Sequence, residues 1–322
     1  MIAAPQISMR EAFGEALVEF AGRYPEMMVL DADVSASTRT ALFAKKYPER
    51  FFNLGVAEAN MVDIAAGMAT CGLRPVAATF ALFISLKGGE QIRQTICYNN
   101  LPVVLAGSYA GLSDSFDGAS HQSILDVAVM RAMPNMAVVV PADAIEVRQA
   151  LAFALRRDGP TYIRICRNPV PVLFECAAPL EIGRIRQLRV GADITIAVCG
   201  VPTYMALEAA DHLAADGIGA DVLEVSTVKP MDEAALVRSV RKTGRVLTVE
   251  EHSVIGGLAG AVAETLGRLA PAPMDSIGVP DCFPESGPYP ELLRKFGIST
   301  EEIESRARRL VAATSLPTKI RS

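Results

Sequence analysis

Apolar and polar positions along this chain alternate between two rhythms. After Ser8, which stands three residues before Glu11 at capping-box spacing, Phe13, Ala16, Leu17 and Phe20 recur at helical spacing and predict a helix ending near Arg23. Residues 27–30 form a short apolar run that reads as a buried strand, and it empties into the polar stretch Asp31-Ala32-Asp33-Val34-Ser35-Ala36-Ser37-Thr38. A strand end that delivers acids and hydroxyls into a loop is where open α/β sheets place their chemistry. Ala57, Met61, Ile64, Ala65 and Met68 then predict a helix over 56–72, with Glu58 in its first turn beside the positive end of the helix dipole. A carboxylate in so apolar a segment is costly to bury without a dedicated partner.

The same alternation continues. Residues 74–79 read as a strand, and Phe80, Phe83 and Leu86 follow at three-residue spacing into a helix reaching Tyr98, which would set Phe80 and Phe83 on one face. Residues 102–106 are an apolar strand, followed by a polar loop over 107–122 that is longer than ordinary connections and therefore a candidate functional one. That loop holds Asp117 and His121 four residues apart. Helix 124–133, strand 136–140, helix 144–155 and strand 161–165 repeat the pattern, and Arg167 sits just past the last of these. From Asn168 to Arg189 the rhythm lapses into irregular sequence with Pro169, Pro171 and Pro179. A second series follows: strand 194–198, helix 203–216, strand 220–225, helix 233–243, a strand from 246 ending in Glu250-Glu251-His252, and a helix opened by Gly256, Gly257 and Gly260. The expected fold class is α/β, with two domains, each a mostly parallel sheet flanked by helices. Residues 1–170 form the first, 171–190 the linker and 191–322 the second.

The 322 residues are 51% hydrophobic and 21% charged, enough to bury two cores. A net charge of -5 and no basic stripe argue against a nucleic-acid partner. No apolar run is long enough to span a bilayer and no basic leader precedes one, so the expected location is the cytoplasm, without a membrane partner. The six cysteines, Cys71, Cys97, Cys166, Cys176, Cys199 and Cys282, include no C-x-x-C pair and read as reduced small hydrophobes, with no metal site expected. The glycines at 256–260 follow a late strand rather than a first one, so close packing of helix on strand explains them better than dinucleotide binding.

Six motifs in a fixed order carry a family resemblance. They are Asp33 with Ser37, G-V-A-E-A-N-M-V-D-I-A-A-G-M-A over 55–69, T-F-A-L-F over 79–83, F-D-G-A-S-H-Q over 116–122, P-N-M-A-V-V-V-P-A-D over 134–143, and E-E-H-S-V-I-G-G-L over 250–258. Together they resemble the C-terminal half of a transketolase, its pyrimidine-binding domain plus its C-terminal domain. The resemblance implies thiamine diphosphate as cofactor, with Glu58 hydrogen-bonded to the aminopyrimidine ring, Phe80 and Phe83 packed on it, Asp33 nearby, and Leu86 in place of a third aromatic. It implies that Asp117 and His121 meet the sugar hydroxyls, His121 with a catalytic role beside Glu58, and that Arg10, Ser37 and Arg167 hold the sugar phosphate. A carboxylic acid at the ring nitrogen promotes the tautomer that activates such a cofactor, and burial would raise its pKa toward neutrality.

Two departures from the family pattern shape the expectation. Tyr109, eight residues before Asp117, stands where sugar-phosphate transketolases usually have histidine, which points to a specialised sugar. The G-D-G and later Asn that hold the diphosphate and its Mg2+ or Ca2+ have no counterpart here. The implied protein is therefore the C-terminal subunit of a split transketolase, transferring a two-carbon ketol unit between sugar phosphates. It would be active only with an N-terminal subunit, in a heterotetramer in which two such chains pair. The rivals are the beta subunit of a 2-oxo acid dehydrogenase, a 1-deoxyxylulose-phosphate synthase, and a catalytically silent assembly subunit.

Overall fold

The computed structural model describes residues 5–175 and 180–315; Cys176 and Pro179 lie outside them. Its strands are β1 (Gln6–Ser8), β2 (Met27–Asp31), β3 (Phe51–Asn53), β4 (Arg74–Phe80), β5 (Val104–Ser108), β6 (Ala137–Val139), β7 (Thr161–Ile165) and β8 (Pro169–Pro171). Continuing along the chain come β9 (Arg186–Arg189), β10 (Ile194–Val198), β11 (Ala220–Glu224), β12 (Thr227–Lys229), β13 (Val246–Ser253) and β14 (Met274–Val279). Helices separate most of them, giving two α/β domains whose sheets are mostly parallel.

The first sheet has the order β12-β6-β7-β5-β4-β2-β3, and all its pairs are parallel except β12 with β6. The strands are continuous apolar runs because helices cover both faces: β4, β5 and β7 are buried almost throughout. The second sheet has the order β14-β13-β10-β11-β9, parallel except for β9 on β11. β1 and β8 pair antiparallel by themselves. β12 lies in the sequence of the second domain yet completes the first domain's sheet, so the two domains share a hydrogen-bonded edge.

Several expected elements shift for local reasons. The helix over Met9–Phe20 forms, but Ser8 makes no side-chain cap bond, and its hydroxyl is buried without a partner. Phe80 is the last residue of β4, and only Phe83 lies in the helix Ala81–Leu86; the expected single helix to Tyr98 is broken, with a π-helical turn over Ile92–Cys97. Within 168–189, read as irregular, β8 and β9 form. Cys97, Cys166 and Cys199 are buried as expected of small hydrophobes, whereas Cys71 and Cys282 are exposed. Among the described residues no helix is long and apolar enough to cross a membrane.

The Gly256–Gly260 turn is filled from within. The Glu250 carboxylate accepts the backbone N–H groups of Leu258 (2.7 Å) and Ala259 (2.8 Å) at the start of the helix Leu258–Leu269. A Cβ on Gly257 would lie 2.1 Å from Glu250 Oε2, so glycine is required for this approach. The helix end that elsewhere receives a phosphate holds the protein's own carboxylate here.

A buried charged network locks the domains together. Arg164, from β7, donates to Asp126 Oδ2 (2.9 Å), to the Ser123 carbonyl (3.1 Å) and to the Glu251 carbonyl (2.8 Å) of β13. Tyr162 donates to the same Asp126 oxygen at 2.6 Å. Burial works against the Asp126 charge, but the Arg164 guanidinium and His252 outweigh it and hold the carboxyl below its ordinary pKa. Replacing Asp126 by alanine leaves Arg164 charged, buried and unpaired. We expect Asp126→Ala to lower unfolding stability by about 3–5 kcal/mol, read as a shift of the urea midpoint; a loss below about 1 kcal/mol would show that the pair is not needed.

Candidate active site

The parallel strands of the first sheet end at one edge, where open α/β sheets form their binding cleft, and a cluster of side chains lies at or just beyond those ends. β2 leads to Asp33, β4 ends in Phe80, β5 is followed by Tyr109, and β7 by Arg167; the helix Glu58–Thr70 enters after β3. These residues are scattered in sequence, and the parallel sheet brings them to one edge.

Glu58 is the first residue of its helix and is 4% exposed. The partner that a buried acid demands is Lys87, whose Nζ lies 3.1 and 3.3 Å from the two carboxylate oxygens. Lys87 also rests over Phe83, 4.2 Å from the ring centre, while about half of its own side chain stays in solvent. The acid is therefore held by a half-exposed side chain and not by the buried core. Lys87 was not anticipated from the sequence, although it follows Phe83 by one helical turn.

Phe80 and Phe83 have ring centres 5.8 Å apart. Phe80 stacks on Tyr109 at 4.5 Å, and His121 meets Phe83 edge-on at 5.1 Å. Offset and edge contacts of this kind add about 0.5–1.5 kcal/mol per pair beyond simple burial. His121 Nδ1 pairs with Ser120 Oγ at 2.9 Å. Tyr109 adopts φ 59, a left-handed conformation that a bulky residue takes only when its surroundings impose it. Its hydroxyl accepts a bond from Arg10 Nη1 at 2.7 Å, and Arg167 lies 4.8 Å from its ring centre on a cation–π contact.

The remaining expected residues divide. Arg10 reaches Ser37 through the Ser37 backbone carbonyl (3.2 Å), not its hydroxyl. Asp33 is exposed, with φ 65, and accepts from Asn53 Nδ2 at 2.8 Å. Its neighbour Asp31 is buried and accepts from the Val34 N–H, Thr38 Oγ1 and Thr40 Oγ1, so it pins the loop instead of serving the cleft. Leu86 points to solvent, 52% exposed. Asp117 is exposed on the polar loop, whose Gln122 Nε2 donates to the Glu285 carbonyl of the second domain at 3.0 Å. Asp114, also missed from the sequence, is buried in that loop and pairs with Arg167 at 3.2 Å.

Comparison with known proteins bears on the fold and the family of the chain. The transketolase pyrimidine-binding domain model matches residues 5–172, and the transketolase C-terminal domain model matches 183–303. A Methanocaldococcus jannaschii protein provisionally named a transketolase C-terminal section is 42% identical, covering 92% of this chain and 94% of its own length. The 6-deoxy-6-sulfo-D-fructose transketolase subunit of Clostridium sp. is 41% identical over 92% of each chain. A solved structure described as a split gene transketolase, inactive beta4 tetramer, superposes with a TM-score of 0.89 at 46% identity, covering 95% of this chain and 99% of that one.

The contact between Arg10 and the Tyr109 phenol offers a direct test of the cleft. Tyr109→Phe keeps the stack on Phe80 but strips Arg10 of the nearer of its two acceptors, and should cost about 1–2 kcal/mol in chemical denaturation. An unchanged midpoint would mean that Arg10 is equally well satisfied by water.

Proposed function

The chain belongs to the transketolase family as its C-terminal section, and we propose that it is the C-terminal subunit of a split, thiamine-diphosphate-dependent transketolase. In this role it moves a two-carbon ketol unit between sugar phosphates. The observation that carries the proposal is Glu58, a buried acid at a helix start, joined through Lys87 to the paired rings of Phe80 and Phe83 at the carboxyl edge of a parallel sheet. Only the half-exposed Lys87 side chain covers it among the described hydrogen bonds, so a ring nitrogen can take the ammonium's place without repacking the core.

When bound, thiamine diphosphate supplies the nucleophilic carbon that accepts the ketol unit. Glu58 hydrogen-bonds the aminopyrimidine ring nitrogen and holds a proton at its carboxyl oxygen there. Phe80 and Phe83 would orient the flat ring and keep water from it, with Asp33 assigned to the cofactor's surroundings by the family resemblance alone. His121, edge-on to Phe83, moves a proton at the sugar hydroxyls, and Asp117 hydrogen-bonds those hydroxyls. Arg10, Ser37 and Arg167 hold the oxyanion at the far end of the sugar, where two guanidiniums suit a tetrahedral anion. Tyr109 lies between those cations and shapes the pocket for a specialised sugar; the sulfonated sugar in the clostridial relative's name is one with such an end.

The diphosphate and its Mg2+ or Ca2+ fall to an N-terminal subunit, and two chains of each kind make a heterotetramer. Val56, two residues before Glu58, is 72% exposed, and Leu86, beside Lys87, is also bare; apolar surface at the cleft mouth supports a covering partner. As an enzyme of carbohydrate metabolism it would work in the cytoplasm.

The chain alone, given thiamine diphosphate and magnesium, should transfer no ketol unit, and addition of the N-terminal subunit should restore transfer. Turnover by the chain alone would sink the split-subunit proposal. In the reconstituted complex, Glu58→Gln should lower kcat by about 10²–10⁴-fold with assembly intact; unchanged turnover would leave an assembly role for this chain.

A further inference from the structure

The two arginines facing the cleft are both engaged, but by partners of different kinds. Arg10 donates to the Tyr109 hydroxyl and the Ser37 carbonyl, neutral acceptors that leave its charge uncancelled. Arg167 faces a carboxylate: Asp114 Oδ1 lies 3.2 Å from its Nη1. The Arg167 backbone N–H donates to Ser113 Oγ (3.2 Å), which ties the strand end to the loop bearing Asp114. Asp114 is fully buried, and its second oxygen, Oδ2, has no hydrogen-bond partner. This acid satisfies no backbone turn: it pairs with the Arg167 cation, and the Asp117 carboxyl lies within hydrogen-bonding reach of it.

We propose that Asp114 is a specificity residue that competes with the substrate's oxyanion for Arg167, so that anion binding at this subsite requires the Asp114–Arg167 pair to be given up. The inference rests on the proposed placing of Arg167 at the substrate's anionic end. A charged Asp114 cancels half of the positive charge that the two arginines present, and a protonated one releases it. The groups that face Asp114 are Asp117, on the same loop, and Arg167, beyond β7; those that face Arg167 are Asp114 and the Tyr109 ring. Burial first, and then the neighbouring Asp117 carboxylate, push the Asp114 pKa up to about 7 against the pull of Arg167. Below that pH Asp114 is neutral and Arg167 is available, whereas above it the charged carboxylate reclaims the guanidinium.

Inorganic sulfate, which does not titrate in this range, is the probe, bound to the full chain and followed by calorimetry from pH 6 to pH 8. For the native sequence the dissociation constant should rise about tenfold across that interval. Asp114→Asn should bind sulfate more tightly at pH 8 and flatten the profile. In the reconstituted enzyme the same variant should lower KM for a phosphorylated sugar with little change in kcat. Sulfate affinity at pH 8 that is unchanged or weaker in Asp114→Asn, with its melting temperature retained, would overturn the competition. Arg167→Ala separates the two ideas. If it abolishes sulfate binding while Asp114→Asn does nothing, only the competition fails; if it leaves sulfate binding intact, the placing of Arg167 at the substrate's anion fails.

Discussion

Arg164 carries its charge where water does not reach it, and the placement of the cleft follows from how that charge is satisfied. A buried guanidinium needs a carboxylate and further acceptors in fixed positions, because each unmet donor costs more than a made bond returns. Asp126 supplies the carboxylate, and the carbonyls of Ser123 and Glu251 supply the rest. Ser123 ends the polar loop that carries Asp114, Asp117 and His121, while Glu251 belongs to the second domain. The Glu251 carboxylate reaches back to the Leu112 N–H (2.6 Å) and accepts from Tyr289 Oη (2.8 Å). One cation thus sets the loop, the strand end before Arg167 and the second domain in a common frame.

Much of the fold could be read from sequence because parallel strands buried on both faces leave uninterrupted apolar runs, and the helices between them keep a regular stripe. β7 and the helix Glu233–Thr243 fall where the pattern predicts. Short strands carry no such signal. β9 alternates with arginine and glutamine on the sheet edge, and β12 is three residues whose partner, β6, lies in the other domain. No local pattern encodes a strand that serves a distant sheet.

The cleft was legible to a similar depth. Phe80, Phe83, Tyr109, His121 and Arg167 are linked by ring and cation–π contacts, and Glu58 joins them through Lys87, because the strands that lead to them end at the same edge. Lys87 and Asp114 were not legible, for a common reason: their importance comes from burial and pairing across 29 and 53 residues of chain. In the sequence Asp114 is one more polar residue of a loop rich in aspartate and serine, indistinguishable from the exposed Asp117. The Ser8 cap failed in the opposite sense, since the spacing was right but the hydroxyl turned inward.

The strand that β12 lends to the first sheet bears on how such a protein can be divided. A sheet whose last strand is borrowed cannot be cut at the domain boundary without baring β6, whose unpaired N–H and C=O groups would recruit any passing strand. Fission between these two domains would therefore yield two sticky fragments. A polypeptide that carries both domains keeps β6 and β12 paired from the moment it folds.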